Sequence, residues 1–118
     1  KISKFDDLLK NSDFISLHVP SQKKYIIDKA EFSKMKEGVG IINAARGGVI
    51  NEVELASAIK SGKVAFAGLD TFENEPKPEI QLLMNSKLSL TPHIGAATNE
   101  AQDRIGIELA NQIIEILD

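Results

Sequence analysis

The sequence predicts an α/β fold, a parallel sheet of four strands with flanking helices, on three observations. Four short apolar, β-branched runs have strand length: Phe14 to His18, Val39 to Asn43, Val64 to Leu69 and Leu88 to Thr91. Amphipathic stretches of helical period separate them, the alternation that builds βαβ units. Capping acceptors stand three residues before a carboxylate at Ser3 and Asp6, Asp28 and Glu31, and Asn51 and Glu54, so three helices are expected to start near those points.

Taken in order, the Ser3 box opens a first helix ahead of the Phe14 run. After the Asp28 box, Ala30, Phe32 and Met35 are expected to face the sheet, with Gly38 ending the helix. After the Asn51 box, Leu55, Ala56 and Ile59 do so, with Gly62 as the stop. The last helix, expected over about 98–118, is the longest. Ile105, Leu109, Ile113 and Leu117 recur four residues apart beside Ala101 and Ala110, Thr98 is a candidate cap, and Glu100 suits the first turn. Residues 73–78 form the one proline-rich loop, and no internal repeat or linker is visible.

The composition is that of one soluble globular domain. The 118 residues carry 14 basic and 17 acidic side chains, are 42% hydrophobic and contain no Cys or Trp, which excludes collagen, coiled-coil and disordered classes. Without cysteine there is no disulfide framework, thiolate metal site or Cys nucleophile, and a reducing cytoplasm is the expected setting. A net charge of −3, with basic residues scattered and not striped, argues against nucleic acid as a partner. The longest apolar runs are too short to cross a membrane, and Lys1-Ile2-Ser3-Lys4 lacks the apolar core of a signal peptide. The start at Lys instead of Met suggests a processed or excised segment.

Ligands of open parallel sheets bind beyond the carboxyl ends of the strands, so the residues that follow each run are the candidates. These are His18-Val19-Pro20, then Ala44-Ala45-Arg46-Gly47-Gly48, then residues 70–76 from Asp70 to Pro76, then Pro92-His93-Ile94-Gly95-Ala96-Ala97-Thr98. An arginine, acidic residues and a histidine thus converge on one edge, the types that carbonyl–alcohol redox chemistry on an anionic substrate requires. Arg46 suits bidentate binding of a carboxylate, with Gly47-Gly48 allowing a tight turn beside it. His93 suits proton exchange with the reacting oxygen, and a carboxylate on its other ring nitrogen would orient the ring and favour its charged form.

Plainer roles compete with these. Glu75 is equally a solvated loop charge, and Glu73 competes with it for the histidine. His93 between Pro92 and Ile94 is also compatible with a core histidine bonded to backbone. Asp70 either caps a turn or accepts from a ligand amide, and His18 before a proline turn reads as structural. Two distant His and no Cys make a poor metal set, so no metal is expected.

The succession Ser12 to Pro20, Met35 to Gly38, Ile42 to Gly48, Ala67 to Pro76 and Thr91 to Gly95 resembles the D-2-hydroxyacid dehydrogenases over nearly the whole chain. Within them, the run His93 to Gln102 is most similar to the 3-phosphoglycerate dehydrogenase branch. The resemblance implies a partial doubly wound, Rossmann-like sheet, NAD as cofactor, and oxidation of a D-2-hydroxy acid such as 3-phosphoglycerate. It implies that Arg46 anchors the substrate carboxylate, that His93 exchanges the proton, and that Glu75, which directly precedes the proline, is its partner over Glu73. It further implies that Ala44, Ala45, Arg46, Asp70, His93, Ile94, Gly95 and Ala96 face the nicotinamide end, with His18, Val19 and Pro20 lining the same cleft. Homo-oligomers, dimer or tetramer, through the nucleotide domain are expected.

Departures inside the motifs are small: Thr71 where Val is usual, and Ile50-Asn51-Glu52 where Val-Asp-Glu is common. The large departure is the missing GxGxxG fingerprint and the acidic residue beyond it. Gly38-x-Gly40 precedes a strand instead of following one and has Asn43 in place of the third glycine. The chain is therefore expected to be the later half of an NAD-binding domain with its returning C-terminal helix. Alone it should bind NAD weakly, turn over little, and expose a sheet edge and an apolar face prone to self-association. Glyoxylate or hydroxypyruvate reductase, D-lactate dehydrogenase and a non-catalytic, NAD-sensing corepressor remain alternatives.

Overall fold

In the computed structural model, which describes residues 2–117, four parallel strands lie in chain order, β1 Phe14–Leu17, β2 Val39–Asn43, β3 Val64–Leu69 and β4 Leu88–Leu90. Each crossover carries a helix, as parallel pairing demands. α2 Lys29–Lys34 links β1 to β2, α3 Glu52–Ser61 links β2 to β3, and the single turn α4 Ile80–Leu83 links β3 to β4, with α1 Phe5–Asn11 before and α5 Asn99–Leu117 after. The pairing aligns Leu17 with Asn43, Asn43 with Leu69 and Leu69 with Leu90, so the loops that follow all four strands emerge along one edge.

Alternation along the strands separates two faces. Ile15, Leu17, Val39, Ile41, Val64, Ala67 and Leu69 pack in one buried cluster with Leu9 of α1, Phe32 of α2, Leu55 and Ile59 of α3, and Leu82 of α4. Each such side chain contributes about 1.5–3 kcal/mol when removed from water. Among the described residues nothing covers the opposite face: Phe14 is 71% exposed, Ile42 44% and Phe66 43%. There the rings of Phe14 and Phe66 meet over Gly40, with centroids 5.9 Å apart, and a Cβ on Gly40 would lie 2.5 Å from Phe66. Gly40 is thus a platform for two rings, which explains the isolated Gly38-x-Gly40 pair.

The helix starts differ in kind. Asp28 and Glu31 form a complete capping box on α2, and Asn51 accepts from the amides of Val53 and Glu54 on α3, which Gly62 closes in the left-handed region. Ser3 does not cap α1: extended Lys4 occupies the N-cap, the helix starts one residue later than that box requires, and Asp6 and Asp7 in its first turn supply the dipole term instead. α2 ends at Lys34, and Gly38, at φ 77°, turns the chain into β2. Ala30 faces outward, while Phe32 and Met35 reach the core. α4 was not foreshadowed, because a four-residue turn carries no period. Thr98 does accept from the Ala101 amide at the start of α5, whose apolar stripe at Ile105, Leu109 and Ile113 is about half exposed. No helix among the described residues is long and apolar enough to cross a membrane.

Candidate active site

Asp70 ends β3 and organises the loop edge. Its Oδ1 accepts from Thr91 Oγ1 at 2.6 Å and from the Ile94 amide at 2.9 Å, and its Oδ2 accepts from the Gly95 amide at 2.8 Å. Burial alone would push this carboxyl up, but the three hydrogen bonds and the nearby His93 together hold it below the usual carboxylate range. The turn after β4 is thereby tied to the end of β3. Within it His93 has φ 57°, a left-handed conformation that costs a non-glycine residue about 1–2 kcal/mol.

That turn sets the His93 ring against Glu75. Nδ1 lies 2.8 Å from Glu75 Oε2, while Glu75 Oε1 accepts from the Phe72 amide at 3.0 Å. The His93 hydrogen bond, assisted by the Phe72 amide, holds the Glu75 carboxyl below its ordinary range. An ionised carboxylate only accepts, so Nδ1 carries the hydrogen and Nε2 is the nitrogen left for exchange with another molecule. The His93 side chain is 45% exposed, enough for a ligand to reach. A pocket of about 330 Å³ adjoins the pair, walled by Phe72, Pro76, Leu90 and Thr91. A larger hollow, about 910 Å³, opens elsewhere, around Tyr25, Asp28, Gly47 and Glu73.

Asn43 at the end of β2 builds the neighbouring turn. Its Oδ1 accepts from the Ala45 amide at 3.1 Å and its Nδ2 donates to the Arg46 carbonyl at 3.0 Å. Ala45 is buried, Ala44 and Arg46 are exposed, and the Arg46 guanidinium donates to the Ala45 carbonyl. Among the described residues it makes no hydrogen bond to His93 or Glu75. The two loops nevertheless pack closely: a Cβ on Gly47 would lie 1.9 Å from the Phe72 carbonyl oxygen, so only glycine fits.

His18 pairs with Ser16 Oγ through Nε2 at 2.8 Å, Val19 packs against the core, and Pro20 is exposed. Three strand spacings, about 14 Å, separate β1 from β4, so His18 and His93 follow strands at opposite margins of the sheet. Glu73, the rival acid, turns the other way, accepting from the Glu52 amide and from Tyr25 Oη. The sequence reading missed the holding role of Asn43, Thr91 and Glu52. Asn43 and Thr91 end strands just before the candidate turns, which is the one local signal they carry. No three His, Asp or Glu side chains among the described residues are grouped to hold a metal ion.

Comparison with known proteins is decisive for the family. Residues 1–95 match the NAD-binding domain of the D-isomer specific 2-hydroxyacid dehydrogenases. The chain belongs to this family. It is 48% identical over 115 residues to the D-3-phosphoglycerate dehydrogenase of Mycobacterium leprae, covering 96% of this chain and 22% of that protein. It is 50% identical over 117 residues to the hydroxypyruvate reductase of Thermotoga maritima, covering 95% of this chain and 38% of that protein. The fold superposes on a glyoxylate reductase from Paecilomyes thermophila with a TM-score of 0.83 at 42% identity, covering 98% of this chain and 36% of that one. The chain therefore spans about a fifth to two-fifths of the length of these relatives.

The family's cofactor is NAD, and the donor set fits one end of it. The edge formed by exposed Ala44 and Arg46 and by residues His93 to Ala96, with a ring nitrogen left for exchange, suits the reacting end of a dinucleotide. The sequence has no GxGxxG run to hold its pyrophosphate. The N-terminus of α2 is filled by Asp28, and that of α3 by Asn51 and Glu73, so neither offers free amides to an anion.

Proposed function

We propose that this chain is the later half of an NAD-binding domain, with its returning C-terminal helix, of an NAD-dependent D-2-hydroxyacid dehydrogenase acting on 3-phosphoglycerate to give 3-phosphohydroxypyruvate. The observation that carries the reading is the His93 Nδ1 to Glu75 Oε2 hydrogen bond, 2.8 Å at the exposed carboxyl edge of the sheet. When bound, NAD supplies the hydride acceptor. His93 Nε2 takes the hydroxyl proton of the substrate and returns it in the reverse direction. Glu75 keeps the ring in the required tautomer. Arg46 swings from the Ala45 carbonyl to hold the substrate carboxylate and polarise the reacting oxygen. Asp70 holds the segment Ile94, Gly95 and Ala96 that faces the nicotinamide end together with Ala44 and Ala45, and His18, Val19 and Pro20 line the cleft further along.

The substrate assignment is supported by the 48% identity to a phosphoglycerate dehydrogenase, and the 50% identity to a hydroxypyruvate reductase favours a second reading, reduction of hydroxypyruvate. The setting proposed is cytoplasmic, with assembly into a dimer or tetramer through the nucleotide domain. The uncovered Phe14, Ile42 and Phe66 support the reading as half of a domain, since both faces of a parallel sheet are normally covered. Absorbance of NADH tests the activity: the intact protein is given 3-phosphoglycerate with NAD, then hydroxypyruvate with NADH. Turnover of the phosphorylated acid that falls about 10²–10⁴-fold in His93→Ala is expected. Turnover of hydroxypyruvate alone would establish the second reading. Saturable NAD binding without turnover of either would overturn both and leave a regulatory, NAD-sensing protein.

A further inference from the structure

Two carboxylates outside the His93–Glu75 pair meet across the start of α3 and the loop that follows β3. Glu52 Oε1 accepts from the Glu73 amide at 2.7 Å, and Glu73 Oε1 accepts from the Glu52 amide at 3.1 Å. Tyr25 Oη donates to the remaining Glu73 oxygen at 2.9 Å. Glu52 is only 5% exposed, and its Oε2 has no hydrogen-bond partner among the described residues. A buried carboxylate with an orphaned oxygen is costly, so stability alone does not explain it.

What the clamp holds is the loop of the reaction site. Phe72 and Glu73 are adjacent. The Glu73 amide is bound by Glu52, the Phe72 amide is bound by Glu75 Oε1, and the other oxygen of Glu75 meets His93. On its far side the same stretch is pressed against Gly47, one residue beyond Arg46. From Glu52 to the His93 ring there is thus an unbroken path of one loop and three hydrogen bonds, and its exposed end is the pair itself. Nothing else among the described residues ties the Glu73 amide.

We propose that Glu52 is a positioning residue, which through the Glu73 main chain fixes the loop that sets Glu75 against His93. The proposal rests on the reading of His93 and Glu75 given above. Its essential bond is to an amide, so it requires an acceptor of the right reach and not a charge. Burial also pushes the Glu52 carboxyl up, opposed by the Glu73 amide and reinforced by the carboxylates of Glu73, Glu79 and Glu75. A neutral acceptor at this position is therefore well matched to its surroundings.

The test uses the intact protein with 3-phosphoglycerate and NAD, or hydroxypyruvate and NADH, whichever pair it turns over. Glu52→Asp draws the acceptor back from the Glu73 amide and is expected to lower kcat about tenfold with KM unchanged, since misplacement by about 1 Å is enough for such losses. Glu52→Gln keeps the acceptor and is expected to restore kcat to within about twofold of the wild type. An unimpaired Glu52→Asp, a loss confined to KM, or a Glu52→Gln that falls with Glu52→Asp would overturn the proposal. Amide exchange in the wild type needs no variant: slow exchange at the Glu73 amide is expected, and an unprotected amide would count against the clamp. His93→Ala run alongside separates the two claims. If it remains active, the underlying reading fails; if it is inactive while Glu52→Asp is not impaired, only the role of Glu52 fails.

Discussion

Asp70 and Glu75 begin and end one loop, yet they do opposite work. Asp70 is buried, and three donors from the next loop close upon it. Glu75 is exposed and gives one oxygen to its own loop and the other to the His93 ring. The first carboxylate holds the turn of residues 91–95, and the second bonds one nitrogen of an exposed imidazole. The anchor of a rigid frame and the partner of the proposed proton carrier thus stand five residues apart. Both carboxyls titrate below their ordinary range, so a depressed pKa by itself does not tell frame from carrier; partner and exposure do.

Substitutions at the two ends should separate these roles. The largest effect is expected at the ring: His93→Ala should lower kcat about 10²–10⁴-fold while leaving the thermal midpoint nearly unchanged, measured by steady-state kinetics and calorimetry on the intact protein. A midpoint that collapses with the activity would make His93 part of the frame. Asp70→Ala should act on stability as well, costing about 2–4 kcal/mol in urea unfolding because three donors lose their acceptor. Gly47→Ala follows, at about 1–3 kcal/mol, since its methyl group must push Phe72 and the loop away from the Arg46 turn.

The smallest effect is the pH dependence. Asp70 and Glu75 have folded values lowered from those of the unfolded chain, so their contribution is present above the ordinary carboxylate range and is lost as the pH falls through the lowered values, below about pH 4. Glu52 has the opposite sign: its folded value is raised, so its contribution is lost as the pH rises through that value. Glu52→Gln should therefore gain stability relative to the wild type on the neutral side and show no gain in acid, read from urea midpoints across pH. A gain confined to acid would contradict the direction assigned to Glu52.

The sheet was legible because its strands are short apolar runs bounded by turn residues, and β2 and β3 begin and end where those runs do. Asp28 and Asn51 were legible as caps because the residues they bond are one to three positions away. Ser3 misled for the same reason, since spacing does not reveal that extended Lys4 starts the helix one residue later. The outward stripe of α5 shows the limit of periodicity, which tells that a face is apolar and not what covers it.

The site was legible as a set of loops and not as a geometry. Spacing left Glu73 and Glu75 equivalent, two acids two residues apart in a proline loop; only the family resemblance favoured one. In the fold they diverge, Glu75 toward His93 and Glu73 toward Tyr25, 48 residues earlier in the chain. The clamp at Glu52 spans 21 residues and works through a main-chain amide, which has no side-chain signature to find.

The central claim is that His93 and Glu75 act as one unit, and a double-mutant cycle on kcat/KM of the intact protein tests it most directly. With His93→Ala, Glu75→Gln and the double variant compared to the wild type, Glu75→Gln should lower the rate on its own and cost almost nothing further once His93 is gone. Losses that multiply in the double variant would mean that the two residues act independently, and the account built on their hydrogen bond would fail.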